Sequence, residues 1–131
     1  MTDAPDYAAT MPFAVGLGIR IPSATPEEVI GELDWAPDRT TLGGALHGGV
    51  LMSFADQAMG MTGRRLTGDK PHATIEMNMQ FIAGVKIGDF VEAHCTVVRE
   101  TRSVLFIEGK LKVGTRIVAS ASGIWKILGE K

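Results

Sequence analysis

Asp56 is an acid without a charged neighbour. It lies in the run Gly48 to Met61, GGVLMSFADQAMGM, where only Ser53 and Gln57 are otherwise polar. Val50, Leu51, Phe54, Ala55, Ala58, Met59 and Thr62 recur at three- and four-residue spacing, which predicts a helix. Ala, Leu and Met favour that state, and Arg64 and Arg65 complement the negative end of its dipole. On such a helix the neighbours of Asp56 at three and four residues are Met52, Ser53, Met59 and Gly60, so no cation of the same helix pairs with it. Two roles stay open for it. One is a solvent-facing Asp on a partly exposed helix. The other is a carboxylate held in a largely apolar site, an environment that makes an acid a usable base or nucleophile.

The helix start is the second chemical feature. Gly43, Gly44, Gly48 and Gly49 crowd four glycines into seven residues. The unpaired N–H groups of a first helical turn attract an anion or a developing oxyanion, and glycine lets a substrate oxygen come close. A Walker loop is excluded, because Gly43-x4-Gly48 is followed by Gly49 and Val50 rather than by Lys and Ser or Thr. Eight residues separate Gly48 from Asp56, roughly 12 Å along a helix axis. One helix cannot bring its own start and its own Asp56 to the same reacting carbonyl. If the two cooperate, they come from different chains related by a two-fold axis, and the protein is at least a dimer.

The elements that must position these groups follow from the rest of the chain. Its 131 residues suit one domain, read as 11–131 behind a loose tail at 1–10, and 45% hydrophobic with 21% charged residues is ordinary for a globular protein. A net charge of −2 offers nucleic acid no general attraction, and no basic run interleaved with aromatics offers a local one. The acidic start MTDAPDYAATMP lacks the apolar core of a signal peptide, and no apolar stretch reaches membrane-spanning length. Cys95, the single cysteine, reads as a small buried residue in a reducing compartment. A soluble cytoplasmic protein is expected.

A short helix or turn is predicted over Met11 to Leu17, then strands over Gly18 to Ser23 and Glu28 to Trp35. From Thr74 to Phe81 strict alternation sets Thr74, Glu76, Asn78 and Gln80 against Ile75, Met77, Met79 and Phe81. Three more strands are read at Phe90 to Arg99, Ser103 to Val113 and Thr115 to Ile127, the last with Ile117, Ala119, Ala121 and Trp125 on its apolar face. Four consecutive strands on short loops suggest an antiparallel meander, and the apolar helix is available to cover it. The fold class expected is α+β: a curved antiparallel β-sheet wrapped around one long central helix.

This arrangement resembles the hotdog fold, and the residues resemble the phenylacetate-degradation type of acyl-CoA thioesterase within it, part of the 4-hydroxybenzoyl-CoA thioesterase superfamily. The resemblance rests on Leu42-Gly43, His47-Gly48-Gly49, Asp56 nine residues after His47, Thr74 at the next strand and Gly88-Asp89 before another. It implies hydrolysis of acyl-CoA thioesters to free acid and CoA. The Gly48 N–H would be the oxyanion donor, and Asp56 of the partner chain the base or nucleophile. His47 would shape the helix start, and the Thr74 hydroxyl would help hold the attacking water. Gly49 and Thr41 are expected beside the substrate, although the family commonly has an Asn where this chain has Thr41. No cofactor and no metal is implied, and a homodimer or homotetramer is.

Simple alternation works against one of these roles, since it puts Thr74 with Glu76 and Asn78 on the polar face. Arg99 and Arg102, with Lys86 and Arg64, are candidates for the CoA phosphates, set against the reading as solvated charge near turns. His72 and His94 have no metal-ligand spacing and read as surface residues. Met52, Met59 and Met61 read as core, or as the lining of an adaptable acyl pocket. Two other functions stand beside the thioesterase. One is a non-catalytic acyl-CoA-binding hotdog module, favoured by the missing Asn. The other is a hotdog hydratase or dehydratase, disfavoured because His47 precedes Gly-Gly rather than Phe-Pro.

Overall fold

The structure, a computed structural model, describes residues 6–129. Helix α1, Pro12–Leu17, opens on a proline, where a missing N–H costs nothing, and closes on Gly18 at φ 75°. Strands β1 (Arg20–Ala24) and β2 (Val29–Asp34) form a hairpin. A one-turn 3₁₀ helix at Pro37–Arg39 leads to helix α2, Gly48–Leu66, which is followed by β3 (His72–Phe81), β4 (Phe90–Glu100), β5 (Val104–Val113) and β6 (Arg116–Ile127). All six strands join one antiparallel sheet in the order β1-β2-β4-β5-β6-β3, and α2 packs against every one of them. One long helix enclosed by a single antiparallel sheet is the hotdog fold.

The helix can approach the sheet closely because side chains are missing where it crosses. A Cβ on Gly31 of β2 would lie 2.9 Å from the Phe54 ring, and one on Gly109 of β5 would lie 3.3 Å from Met59. Phe54, Ala55, Ala58 and Met59 are fully buried there, with Val29, Val91, Cys95 and Leu111 from the sheet beneath. Burying Phe54 and Met59 contributes about 1.5–3 kcal/mol each. The helix runs past Met61, where the apolar periodicity ends, to Leu66. Gly63 does not stop it, because that glycine is a contact point where a Cβ would press on Leu105 and His72.

The expected four-strand meander is corrected. Only β4, β5 and β6 are consecutive neighbours, and β3 pairs with β6 at the sheet edge. Residues 82–89 are too long for a tight hairpin, and their backbone groups are satisfied elsewhere. Ile82 and Ala83 donate to the Val118 carbonyl, and the Val85 and Asp89 carbonyls accept from Leu46 and Trp35. The loop therefore carries the chain from the edge strand back to the middle of the sheet. Ile117 is a second correction. Leu111 pairs with Ala119 but Lys112 with Ile117, so a bulge at Val118 turns Val118 inward and leaves Ile117 39% exposed.

Of the tail expected at 1–10, residues 1–5 lie outside the described residues, and 6–8 are anchored to the domain while Ala9 and Thr10 are exposed. Asp6 Oδ1 accepts from the backbone N–H of both Ala8 and Ile21 at 2.9 Å, Ala8 is fully buried, and the Tyr7 ring lies 5.2 Å under the Arg65 guanidinium. Among the described residues no helix is long and apolar enough to cross a membrane. Cys95 is buried, which pushes its thiol up to about 12.

Candidate active site

At the start of α2 the first-turn donors are used up in order, with one exception. His47 is the N-cap, extended at φ −64° and ψ 136°, and its Nδ1 accepts the Gly49 N–H at 2.9 Å. That contact puts the ring proton on Nε2. The N–H groups of Val50 and Leu51 both donate to the His47 carbonyl. The Gly48 N–H makes no hydrogen bond among the described residues. A Cβ on Gly48 would lie 3.2 Å from the Phe81 ring, so glycine keeps this donor approachable.

Two turns along α2, half-buried Asp56 accepts a hydrogen bond on Oδ1 from the Thr74 hydroxyl at 2.8 Å. Strict alternation denied Thr74 this position, and a bulge supplies it. Thr74 pairs with Trp125 of β6 and Glu76 with Ile124, so Ile75 is the extra residue. A bulge exchanges the faces of everything beyond it. Thr74 thereby shares the inner face with buried Trp125, while Ile75, expected inward, is 56% exposed. One sequence signal was available. Gly123, in the middle of β6, is where a Cβ would meet the Glu76 carbonyl oxygen and the Trp125 ring, and an isolated strand glycine marks a bulge or close approach.

Asp56 and Thr74 line a cleft of about 710 Å³ whose other walls include Gln57, Gly60, Met61, Arg64, His72 and Trp125. Gly48 lines a separate apolar cavity of about 310 Å³ with Leu51, Phe81 and Val85. Strand β3 holds the two apart: Phe81 at one end lies against Gly48, and Thr74 near the other binds Asp56. Neither of these two cavities contains both groups.

The remaining predicted residues divide between these regions. Gly49 is beside His47. Thr41 is exposed in a turn in which its N–H donates to the Ala45 carbonyl, and its side chain makes no hydrogen bond among the described residues. Arg99 and Arg102 are exposed at the end of the sheet where Thr74, Trp125 and Leu105 lie in register, and neither lines the Asp56 cleft. His94 sits between Glu28 (3.4 Å) and Glu92 (3.3 Å), its two ring nitrogens facing opposite ways. His72, read as a surface residue, instead lines the cleft, and burial holds its imidazole below the ordinary range with the Arg64 charge adding to the effect. Met59 and Met61 are buried and Met52 is 37% exposed.

The thioesterase superfamily model matches residues 43–120, which include the α2 start, Asp56 and Thr74. The chain belongs to that superfamily. It is 33% identical over 87 residues to an esterase-named protein of Pseudomonas aeruginosa, a match covering 65% of this chain and 64% of that one. It is 24% identical over 88 residues to mouse acyl-coenzyme A thioesterase 13, covering 67% and 63%. The chain thus spans a little under two thirds of the length of these relatives. Among solved structures, a variant of the phenylacetic acid degradation protein PaaI from Thermus thermophilus superposes with a TM-score of 0.83 at 25% identity, covering 89% of this chain and 99% of that one.

Proposed function

We propose that the protein hydrolyses acyl-CoA thioesters to a carboxylic acid and CoA at sites shared between two copies of the chain. The reading rests above all on the Thr74 hydroxyl bound to Asp56 at the wall of a cleft of ligand size. One carboxylate oxygen is thereby oriented, and the other is left to accept a proton from water. The Thr74 oxygen retains lone pairs with which to hold that water. Water attacks the thioester carbon, its proton passes to Asp56, and the carbonyl oxygen becomes an oxyanion. On collapse the carbon–sulfur bond breaks and the proton goes from Asp56 to the departing thiolate. Thiolate leaves readily, so a carboxylate base suffices without a Ser-His pair. The alternative course has Asp56 itself attack, with water then cleaving the mixed anhydride.

The oxyanion donor is the open Gly48 N–H of the second copy, worth about 10²–10³ in rate. Its own Asp56 lies roughly 12 Å down the helix and faces a different cavity. Edge strand β3 leaves one side of its backbone unpaired beside exposed Ile75, Phe81 and Ile82, a surface on which a second copy can join. A thiol-release assay over an acyl-CoA panel, run on the wild type and on Asp56→Asn, tests the proposal. Turnover that Asp56→Asn abolishes supports it. Binding without any turnover returns the protein to an acyl-CoA-binding module, and hydration of crotonyl-CoA would make it a hydratase.

A further inference from the structure

Among the hydrogen-bond donors that line the Asp56 cleft and that the proposed hydrolysis does not use are Trp125 and Arg64. Trp125 lines the cleft, its indole N–H makes no hydrogen bond among the described residues, and the ring nitrogen lies 3.7 Å from where a Gly60 Cβ would be; the buried polar atom without a partner here is His72 Nδ1. Arg64 lines the same cleft, and its one ion pair among the described residues is a 3.9 Å contact with Asp69, which also lines the cleft and is 63% exposed, so an entering anion competes with it. The neighbouring Arg65 differs. Its Nε donates to the Ala24 carbonyl at 3.1 Å and its guanidinium covers Tyr7, so it is committed to holding residues 6–8 and β1.

Asp56, Gly60 and Arg64 follow one i, i+4, i+8 ridge of α2, and all three line the cleft. Gly60, the middle member, presents no side chain, so a ligand reaching from Asp56 to Arg64 can lie directly along the helix. Arg64 and His72 both line this space, and the Arg64 side chain is 41% exposed.

We propose that Arg64, with the Trp125 indole N–H on the wall of the same cleft, recognises an anionic oxygen group of the substrate about 12 Å along α2 from the reacting carbonyl. The assignment rests on the thioesterase reading for which group sits at Asp56. Carboxylate at the far end of the acyl group and phosphate of CoA share this chemistry, and the test separates them.

Hexanoyl and adipyl thioesters, each on CoA and on N-acetylcysteamine, are compared as substrates of the wild type and of Arg64→Gln. Recognition of an acyl carboxylate lowers kcat/KM of Arg64→Gln by roughly 10-fold to 100-fold for both adipyl thioesters and leaves hexanoyl-N-acetylcysteamine unchanged. Recognition of phosphate lowers it for both CoA thioesters and spares both N-acetylcysteamine ones. Either pattern, carried by KM and largely restored in Arg64→Lys, supports the proposal. Equal values for wild type and Arg64→Gln on all four overturn it, as does an equal loss on all four, because hexanoyl-N-acetylcysteamine carries no anion. Gly60→Leu, which fills the ridge between the two residues, should weaken the same substrates. If the wild type hydrolyses none of them, the thioesterase reading fails and calorimetric titration with adipyl-CoA decides Arg64 separately. A Kd weakened in Arg64→Gln supports its role, and an unchanged Kd overturns it.

Discussion

The start of α2 and the middle of α2 reach chemical competence by different routes. At the start everything is local: His47 caps Gly49, Val50 and Leu51 bond back to His47, and the Gly48 N–H is left over. The pattern His-Gly-Gly in front of an apolar helix carries nearly all of that information. At Asp56 the helix supplies only the acid. Its partner comes from an edge strand eighteen residues on, brought round by a bulge against β6. The backbone donor is secured by helix formation itself, whereas the acid depends on tertiary registry. A substitution remote from the site can therefore disable the second without touching the first.

The largest expected effect is at the acid. Asp56→Ala should lower kcat by about 10²–10⁴ in the thiol-release assay. The fold should stay intact, because Asp56 is only half-buried and its one side-chain partner, Thr74, is exposed enough to bond to water. Near wild-type turnover in purified Asp56→Ala would remove the acid from the mechanism. Damage at the helix start is the matching experiment. Gly48→Ala pushes a Cβ to 3.2 Å from the Phe81 ring, so either the ring or the donor must shift, and a loss of up to about 10²–10³ is expected. Chains carrying Asp56→Ala and chains carrying Gly48→Ala, each impaired alone, should regain activity when refolded together. One site of each mixed dimer then holds both intact halves. Demonstrated heterodimers with no recovery would mean that the two regions do not serve one site.

Thr74 comes next and probes the bulge. Thr74→Ala leaves Asp56 without its 2.8 Å donor, and about a tenfold loss in kcat is expected, with Thr74→Ser retaining most of the activity. Equal rates for wild type and Thr74→Ala would reduce the contact to packing. Deleting Ile75 is the control for the bulge: it makes Thr74 and Glu76 adjacent, which keeps Thr74 opposite Trp125 and facing Asp56, so activity should fall less than in Thr74→Ala.

The same contrast explains what the sequence disclosed. The helix, its start, the unpaired acid and all six strand positions follow from periodicity and glycine placement, which are local. Strand order does not, because β3 chooses β6 over β4 through the bonds that residues 82–89 make to other parts of the chain. The faces of Thr74 and Ile117 are misread for a related reason. Each lies beside a one-residue bulge, and period-two reading has no means of counting an extra residue. The role of His72 in the cleft wall was hidden because the polar stretch before it reads as a loop, whereas His72 opens β3, and Gly63 across from it shows its packing only in three dimensions.

The smallest expected effect concerns Thr41, where the chain departs from the thioesterases it resembles. Its side chain is exposed and makes no hydrogen bond among the described residues, and the turn around it is held by backbone groups, Thr41 N–H to the Ala45 carbonyl and Gly44 N–H to the Thr41 carbonyl. Thr41→Asn should therefore change stability by no more than about 0.5 kcal/mol. It lies six residues before His47, so an added amide there acts from the Gly48 half of the shared site. Activity should stay level or rise, and a rise should appear equally in wild-type and Thr74→Ala backgrounds, since the two changes act on different halves of the shared site. Collapse of activity in Thr41→Asn would mean that the helix start is occupied by something other than a thioester oxygen. A rise that vanishes in Thr74→Ala would mean that the halves are coupled through the attacking water, which would then have to span both.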